Sequence, residues 1–524
     1  MRAGRRARLS LAAAVTAFSA ACASSSPFLP PVAQPVDSAT YPAPQTSSRT
    51  RGSAPQRAIR QLRTELARVF SARLMDRGTW AVDVRSLGTG EQLYALNAGK
   101  LVMPASNMKI LTLATAAETL GWDYSFVTTL ETQGEIANGT LLGDLIVRSN
   151  GDPTINARGG RASAVLDGWA EALRAAGITT IDGRVVGDDQ AFDDEGIGAG
   201  WSWDYLQYGY AAPVGALQFN ESTATLTVAA AAVSGEPAAV ELTAGTGFAL
   251  INRAFTGPVG SENTIDYRRH IDRAVLEVYG SVPAGAAPAT RLVAVVNPTL
   301  YFAQSTKDGL AARGIAVNGA AADLDEIAAE WQPRTSADRR VLARTPSPPL
   351  REIATVLMKV SQNLYAETLL KALGAAQGGL GTTEGGRTGA RRILTTWGIP
   401  ADSYVMYDGS GLSRYNYVTA STITAVLERM YKEPRHKDAF SATLPVAGKD
   451  GTVGSRLKGT RAEGNAAAKT GSIANVRSLS GFIHTRDGEP LVFSILTNDF
   501  VIPAATVNYM ADVAVEVLAN FTRR

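Results

Sequence analysis

The chain has 524 residues, more than one hydrophobic core usually serves, so we expect two or three domains. Its hydrophobic content of 45% and charged content of 19% are ordinary for a globular protein. Four arginines and no acidic residue lie in the first 23 residues, so the formal net charge of +3 leaves about −1 for the rest. A nearly neutral body argues against nucleic acid as the main partner.

Residues 1–23 have the pattern of an export signal peptide. Arginines precede the apolar segment 9–21, which is too short to span a membrane as a stable helix. Small residues lead to Cys22, the only cysteine, as in a bacterial lipoprotein signal. Such signals usually carry leucine where Ser19 stands, so ordinary cleavage after residue 21 or 23 is the alternative. We predict export to the cell envelope and the periplasm, with membrane attachment if Cys22 is lipidated.

Residues 24–57 are predicted to be a linker. They hold seven of the 24 prolines, mixed with Ser, Thr and Gln. This composition cannot bury a core and favours extended backbone. We interpret the segment as a tether between an envelope anchor and a folded body; a plain disordered leader is the alternative.

A helix, a hairpin and a second helix are predicted from residue 58 onward. The apolar residues at helical spacing in the first helix are Ile59, Leu62, Leu66, Phe70 and Leu74. Strands at 79–85 and 92–96 are joined by a turn rich in glycine. The apolar run 110–120 predicts the second helix, and Pro104 fits its first turn, where a missing N–H costs nothing.

Ser106 and Lys109 stand three residues apart at the start of this second helix, so their side chains share one face. A serine hydroxyl is a poor nucleophile at neutral pH. A lysine amine that has partly lost its proton through burial can act as its base. The helix N-terminus favours a developing alkoxide. The spacing alone is a weak signal, because Ser-x-x-Lys occurs often by chance.

From residue 141 to residue 344 the chain changes to short β-rich runs separated by Gly, Asp and Pro turns. Examples are 145–148, 184–187, 223–230 and 292–296, with one helix around 162–176. We predict one or two inserted domains, mostly β, that interrupt a body formed by 58–140 and 345–524.

The C-terminal part carries two further short motifs. Helical periodicity returns at 350–373, a stretch that contains Ser361 and Asn363 as Ser-x-Asn. Lys469-Thr470-Gly471 follows a run of small residues. The remaining predicted elements are strands at 478–484 and 491–498 and a closing helix at 504–521. Together with the N-terminal hairpin and helices they would form one α/β body.

The three motifs in this order resemble the penicillin-recognising serine enzymes, which include penicillin-binding proteins and serine β-lactamases. The interval from Ser106 to Ser361 is 255 residues, and that from Ser361 to Lys469 is 108. The long first interval is similar to the low-molecular-mass class C penicillin-binding proteins, serine-type D-alanyl-D-alanine carboxypeptidase/endopeptidases with domains inserted between these motifs. The similarity extends over most of 58–524. Gln362 departs from the generic motif, which often has Asp at this position.

This resemblance implies an α/β (α+β) transpeptidase/β-lactamase-like fold interrupted by the insertion, and a role for each motif. Ser106 would attack the carbonyl of the penultimate D-alanine and form an ester, with Lys109 as the base. Ser361 would relay a proton to the leaving amine. Asn363 would hold Lys109 and the substrate amide.

The third motif would bind the end of the substrate. Lys469 offers a positive charge to the terminal carboxylate, and Thr470 adds a hydrogen bond. Gly471 leads to Ser472, whose backbone N–H would form the oxyanion hole with that of Ser106.

A further substrate contact is implied near the Gly-Trp-x-Trp motif. In the family, an acidic residue near this motif helps to bind the free amino end of diaminopimelic acid. The nearest acid here is Asp204, although Tyr205 could hold the matching position. Alternatively, Asp204 caps a turn on the surface.

The implied partners are peptidoglycan peptides ending in D-Ala-D-Ala and β-lactam antibiotics. We predict no cofactor and no metal, because the three histidines are scattered without metal-ligand spacing. The same scarcity disfavours a Ser-His-Asp triad. A β-lactamase is the runner-up, but no Glu-x-x-Leu-Asn element is present. A non-catalytic wall-binding or β-lactam-sensing module is the third candidate, against which the intact motif set argues.

Overall fold

The computed structural model describes residues 54–328 and 338–524. The predicted signal segment, Cys22 and residues 24–53 of the predicted linker lie outside this part of the chain. The end of that linker, residues 54–57, belongs to the first helix. Within the described residues, no helix combines the length and the apolar character needed to cross a membrane.

The described residues form ten α-helices. They are α1 (Ala54–Phe70), α2 (Met108–Leu120), α3 (Arg161–Ala175), α4 (Pro298–Ala311), α5 (Leu350–Lys359), α6 (Asn363–Ala375), α7 (Thr383–Thr396), α8 (Ala420–Lys432), α9 (Pro434–Thr443) and α10 (Ala504–Asn520).

The same residues form 22 strands. They are β1 (Thr79–Ser86), β2 (Gln92–Leu96), β3 (Val127–Thr132), β4 (Glu135–Ala137), β5 (Thr140–Leu142), β6 (Leu145–Ser149), β7 (Thr180–Ile181), β8 (Val185–Asp188), β9 (Thr223–Ala229), β10 (Ala239–Leu242), β11 (Ala249–Gly257), β12 (Asp266–Arg269), β13 (Val275–Pro283), β14 (Ala289–Ala294), β15 (Ala316–Val317), β16 (Ala321–Asp323), β17 (Arg340–Pro346), β18 (Tyr404–Val405), β19 (Tyr417–Val418), β20 (Ala467–Ile473), β21 (Val476–His484) and β22 (Pro490–Asn498).

The central sheet is antiparallel and has the order β2-β1-β22-β21-β20. Successive residues of a strand point to opposite faces. In β22, Phe493 and Ile495 pack with α1 and α10, whereas Val492 and Leu496 pack with α2 and α8. Helices therefore cover both faces, which explains why β22 is almost entirely buried. The predicted α/β body, assembled from both ends of the chain, is confirmed.

Helix α1 buries the apolar face that its sequence predicts. Ile59, Leu62, Leu66 and Phe70 are buried, whereas Leu74 is 63% exposed. The helix ends at Phe70, and Leu74 lies in the following 3₁₀ turn, so the helical spacing no longer directs it inward.

The inserted strands form sheets of their own. β3 and β17 pair antiparallel, with Val127 opposite Pro346, at the edge of a sheet in the order β16-β8-β6-β3-β17. A four-stranded sheet (β15-β7-β5-β4) shares a core with α3 and α4. Because β3 pairs with inserted strands, we propose that the inserted part begins near residue 127 rather than at 141, and we call residues 127–346 the insertion.

The insertion has a second, all-β part. Two three-stranded sheets, β10-β9-β14 and β11-β13-β12, enclose a separate core around Val228 and Val278. The predicted helix at 162–176 is present as α3. Helix α4 was not predicted; Asn297 caps it and Pro298 is its first residue, a local signal for a helix start. We propose two inserted domains, one α/β and one all-β.

The helical stretch predicted at 350–373 is broken in the middle. α5 ends at Lys359 and α6 begins at Asn363. Between them, Ser361 has φ +62°, a left-handed conformation that a non-glycine residue rarely adopts. The side chain of Gln362 accepts a hydrogen bond from Leu364 N and caps α6. The break places the Ser-x-Asn motif at a helix start instead of in a helix interior.

Candidate active site

Ser106 lies in the 3₁₀ turn Ala105–Asn107, which leads directly into α2. Lys109 follows on the first turn of that helix. The Nζ atom of Lys109 lies 3.0 Å from Ser106 Oγ. The predicted pair is therefore within hydrogen-bonding distance.

Lys109 is fully buried, and its amine is oriented by two carbonyl oxygens. Nζ donates to Asn363 Oδ1 at 2.6 Å and to the Ser410 carbonyl at 2.7 Å. A neutral amine has two N–H groups, so these two bonds leave its lone pair for the hydroxyl of Ser106. Burial lowers the pKa of Lys109 to about 7, although two nearby carboxylates oppose the shift. This geometry suits a general base near neutral pH.

The two carboxylates are Glu367 and Asp408, which sequence reasoning missed. Glu367 on α6 accepts from Gly409 N at 2.9 Å and Ser410 N at 2.7 Å. Burial and the charge of Asp408 raise the pKa of Glu367 to about 7. One signal was available: Glu367 follows Asn363 by four residues at a helix start, which places both on one helix face.

Asp408 organises the turn that carries the Ser410 carbonyl. It is fully buried and accepts from Gly411 N at 2.8 Å and Ser413 N at 2.6 Å. The same turn packs closely against the backbone of Ala105, the residue before Ser106. A Cβ on Gly411, at φ +85°, would lie 1.8 Å from the Ala105 carbonyl oxygen. Glycine is therefore required where this turn crosses the backbone before Ser106.

The third motif lies on β20. Lys469 is fully buried, and its Nζ donates to Ser361 Oγ at 2.7 Å and to the Thr470 carbonyl at 2.8 Å. Burial, with the positive charge of Lys109, holds the pKa of Lys469 well below its usual value. The side chain of Thr470 hydrogen-bonds Thr452 at 2.7 Å.

Gly471 sets how closely β20 approaches the nucleophile. A Cβ at this position would lie 2.1 Å from Ser478 Oγ and 2.8 Å from Ser106 N. Any larger residue would push the strand away from Ser106. Ser472, the predicted second oxyanion donor, is the next residue of the strand and is exposed.

A cleft of about 470 Å³ joins the three motifs. The residues that line it are Ser106, Tyr205, Tyr210, Ser361, Asn363, Gly411, Leu412, Thr452, Thr470, Gly471, Ser472, Ile473, Ala474 and Arg477. Lys109 and Lys469 lie beneath this surface, each in contact with a serine of the lining. The structure thus brings together all the predicted catalytic residues, although the role of each stays a prediction.

Asp204 lies outside the lining of the cleft. It is exposed and accepts a hydrogen bond from Ser202 Oγ at 2.5 Å. Tyr205, the alternative for the matching position, does line the cleft. The role of Asp204 stays a prediction.

One group among the described residues could hold a metal ion. One carboxylate oxygen each from Asp189, Asp194 and Asp325 lie within 4.8 Å of one another. They border a separate cavity of about 360 Å³ that shares no residue with the cleft. Burial raises the pKa of Asp189 to about 7, which weakens it as a ligand at neutral pH. We assign this cluster no part in the cleft.

Comparison with known proteins agrees with this geometry. Residues 62–520 match the model of the D-Ala-D-Ala carboxypeptidase 3 (S13) family. A D-alanyl-D-alanine carboxypeptidase of Actinomadura sp. (strain R39) is 36% identical, over 85% of this chain and 82% of that protein.

Two solved structures share the fold. The crystal structure of penicillin-binding protein 4 from Haemophilus influenzae superposes with a TM-score of 0.74 at 26% identity, covering 87% of this chain and 99% of that chain. A second structure of that protein, complexed with a β-lactam, has a TM-score of 0.68 at 24% identity, covering 86% of this chain and 97% of that chain. The predicted fold class is confirmed.

Proposed function

The chain belongs to the D-Ala-D-Ala carboxypeptidase 3 (S13) family, and we propose that it is a serine-type D-alanyl-D-alanine carboxypeptidase/endopeptidase that trims peptidoglycan stem peptides. One observation carries the proposal: a lysine amine with a pKa of about 7 lies 3.0 Å from Ser106 Oγ, at the wall of an open cleft. This pair provides a nucleophile and its base without a histidine.

In the acylation step, Ser106 Oγ attacks the carbonyl carbon of the penultimate D-alanine while Lys109 takes the hydroxyl proton. The backbone N–H groups of Ser106 and Ser472 stabilise the oxyanion; losing one such donor typically costs about 10²–10³ in turnover. The tetrahedral intermediate then breaks its C–N bond. Ser361 relays to the departing amine the proton that Lys109 took from Ser106, so Lys109 is neutral again when the terminal D-alanine leaves. Lys469 Nζ, 2.7 Å from Ser361 Oγ, holds that hydroxyl in place.

Deacylation uses the same groups in reverse. A water molecule takes the place of the departed amine, and Lys109 accepts its proton as the oxygen attacks the ester. The intermediate breaks its bond to Ser106 Oγ, which recovers a proton from Lys109. The products are the shortened peptide and the free enzyme.

The remaining polar groups select the substrate. Protonated Lys469 has three N–H groups, of which two contact Ser361 and the Thr470 carbonyl, so the third can bind the terminal carboxylate. Asn363 Nδ2 donates to the Tyr210 carbonyl at 2.7 Å, and its second N–H can bind the carbonyl of the substrate amide.

Penicillin should acylate Ser106, because a β-lactam mimics acyl-D-alanyl-D-alanine and leaves a slowly hydrolysed ester. The β-lactam complex of the Haemophilus influenzae relative supports this expectation. After incubation with penicillin, intact mass should rise by one antibiotic equivalent, and Ser106→Ala should abolish the rise. Full labelling of the alanine variant would show that the nucleophile is another residue. With purified muropeptides, mass analysis should show loss of the terminal D-alanine.

The β-lactamase alternative predicts rapid destruction of penicillin without accumulation of the ester. Among the described residues that line the cleft there is no carboxylate that could activate water beside the ester. This observation favours the slowly hydrolysed ester. Turnover measured in the penicillin experiment separates the two activities.

We also propose that the mature protein is attached to a membrane by lipid on Cys22. The sequence before Cys22 and the proline-rich segment after it support a tethered body. Cys22→Ala should move the protein from the membrane fraction to the soluble periplasmic fraction. An unmodified mature N-terminus in the wild type, at residue 22 or 24, would support ordinary cleavage instead.

A further inference from the structure

Helix α6 contacts the insertion through buried polar side chains. Tyr365, Thr368 and Lys371 are at most 1% exposed and lie three residues apart, so they share one face of the helix. Each has a partner in the insertion. Asn156 Nδ2 donates to Tyr365 Oη at 3.0 Å, and Gln218 Nε2 donates to Thr368 Oγ1 at 2.8 Å. Lys371 Nζ donates to the Glu195 carbonyl at 3.0 Å. A buried polar group without its partner costs about 1–3 kcal/mol, so these bonds fix α6 on the insertion.

The contact continues into the Ser-x-Asn motif at the start of α6. Gln362 Nε2 donates to Glu221 Oε2 at 2.5 Å, while Gln362 Oε1 caps the helix. Asn363 Nδ2 donates to the Tyr210 carbonyl. Glu221 and Tyr210 both belong to the insertion, so two residues of the motif are bonded to it.

The Gln362–Glu221 bond joins two segments that contain strained backbone, although Gln362 itself is extended. Ser361, beside Gln362, has φ +62°, and the three consecutive residues Asn220, Glu221 and Ser222 have φ +49°, +60° and +51°. Left-handed conformations of non-glycine residues persist only where the surroundings hold them. The second oxygen of Glu221 pairs with Arg158 at 2.9 Å, and only 18% of the Glu221 side chain is exposed. The carboxylate is therefore held on both oxygens.

From these contacts we infer that Glu221 is a positioning residue for the reaction. Through Gln362 it holds Ser361 against Lys469, and Asn363 against Lys109. Small displacements of groups in a catalytic site are costly: about 1 Å can reduce the rate about 10²-fold. The insertion thereby helps to build the catalytic site at its second motif. The inference rests on the proposed acylation of Ser106.

The test measures the second-order rate of penicillin acylation in a double-mutant cycle. Glu221→Ala should lower the rate about tenfold, as the loss of one charge-assisted hydrogen bond predicts. Gln362→Ala should lower it similarly, and the double variant should lose little more than either single variant. Glu221→Gln should remain within about threefold of the wild type, because its amide oxygen still accepts from Gln362.

Ser222→Gly is the matched control. It changes the next residue of the same turn, relieves a positive φ, and removes a hydroxyl that has no hydrogen-bond partner within the described structure. Its acylation rate and melting temperature should match those of the wild type. Wild-type rates in Glu221→Ala, fully additive losses in the double variant, or an equal loss in Ser222→Gly would each overturn the inference. An unlabelled wild type would instead refute the proposed function.

Discussion

The two lysines beneath the cleft, Lys109 and Lys469, are equally buried but differently surrounded. Lys109 has two carboxylates nearby, Glu367 and Asp408, which raise its pKa against the effect of burial. For Lys469, the charge that shifts the pKa is that of Lys109, and it adds to the effect of burial. The pKa of Lys109 is thus held near 7, and the pKa of Lys469 is lowered by both burial and the neighbouring charge.

This difference matches two different tasks. A base must exchange its proton at the working pH, and a pKa near 7 allows that. A binding cation instead gains its charge when an anion arrives. A substrate carboxylate beside Lys469 would supply a negative charge and would raise the pKa of Lys469. The surroundings of Lys469 therefore favour substrates that carry a terminal carboxylate.

The largest expected effect comes from removing the base. Lys109→Met should lower the rate of penicillin acylation about 10²–10⁴-fold, the usual contribution of general acid–base catalysis. The methionine side chain fills similar space, so the melting temperature should change little. Lys100→Met, at an exposed lysine, is the control and should acylate normally. Rapid acylation of the Lys109 variant would assign the base to another group.

Removing the other lysine should affect binding more selectively. Lys469→Ala should reduce kcat/KM for an acyl-D-Ala-D-Ala peptide about 30-fold or more, since truncating one partner of a buried charge pair costs roughly 2–5 kcal/mol. A peptide whose C-terminus is amidated has no carboxylate to lose, so the variant should affect it far less. Equal losses on both peptides would mean that Lys469 acts in proton transfer and not in carboxylate binding.

The pH profile tests the support of Lys109 by carboxylates. Acylation needs the neutral amine, so its rate should rise with pH through about 7, nearly tenfold per unit below that, and then level off. Glu367→Gln removes a negative charge that raises the pKa of Lys109, so the midpoint should move to lower pH. An unchanged midpoint would show that the carboxyl of Glu367 is protonated in the active enzyme.

The smallest effect is expected for Asp204, whose carboxylate lies outside the lining of the cleft above the two lysines. Asp204 is exposed, and exposed ion pairs contribute about 0.2–1 kcal/mol. Asp204→Ala should therefore lower kcat/KM for a diaminopimelate-containing peptide by no more than about fivefold, with penicillin acylation unchanged. Loss on both substrates would indicate a folding defect, and loss on neither would remove Asp204 from the site.

The motifs were predictable because each needs particular residue types at short spacing. Ser106 and Lys109 are one helical turn apart, and that spacing survives in any helix. The supporting carboxylates were not predictable, because in sequence a buried Glu367 looks like any glutamate on a helix surface. The break at Ser361 was also missed, since helical periodicity continues on both sides of it. Only tertiary contacts, such as the Lys469–Ser361 bond, hold that residue in its left-handed conformation.

The strands of the central sheet were placed well, because alternating burial and flanking turns mark them locally. The predicted strands 478–484 and 491–498 correspond to β21 and β22 with bounds that differ by at most two residues. Which strands pair depends on contacts between distant parts of the chain. The prediction placed β1 in the same α/β body as the C-terminal strands. It did not specify that β1 lies between β2 and β22.

That arrangement has a consequence for how the protein is made. β1 pairs along its whole length with β22, more than 400 residues later in the chain. Closing so long a loop is slow, and β22 leaves the ribosome long after β1. Ser106 is therefore synthesised early, but the strands β20 to β22 that complete its active site are made much later. A nascent chain stopped before β20 would carry the nucleophile and no working site, so the enzyme should gain activity only after β20 to β22 have been made.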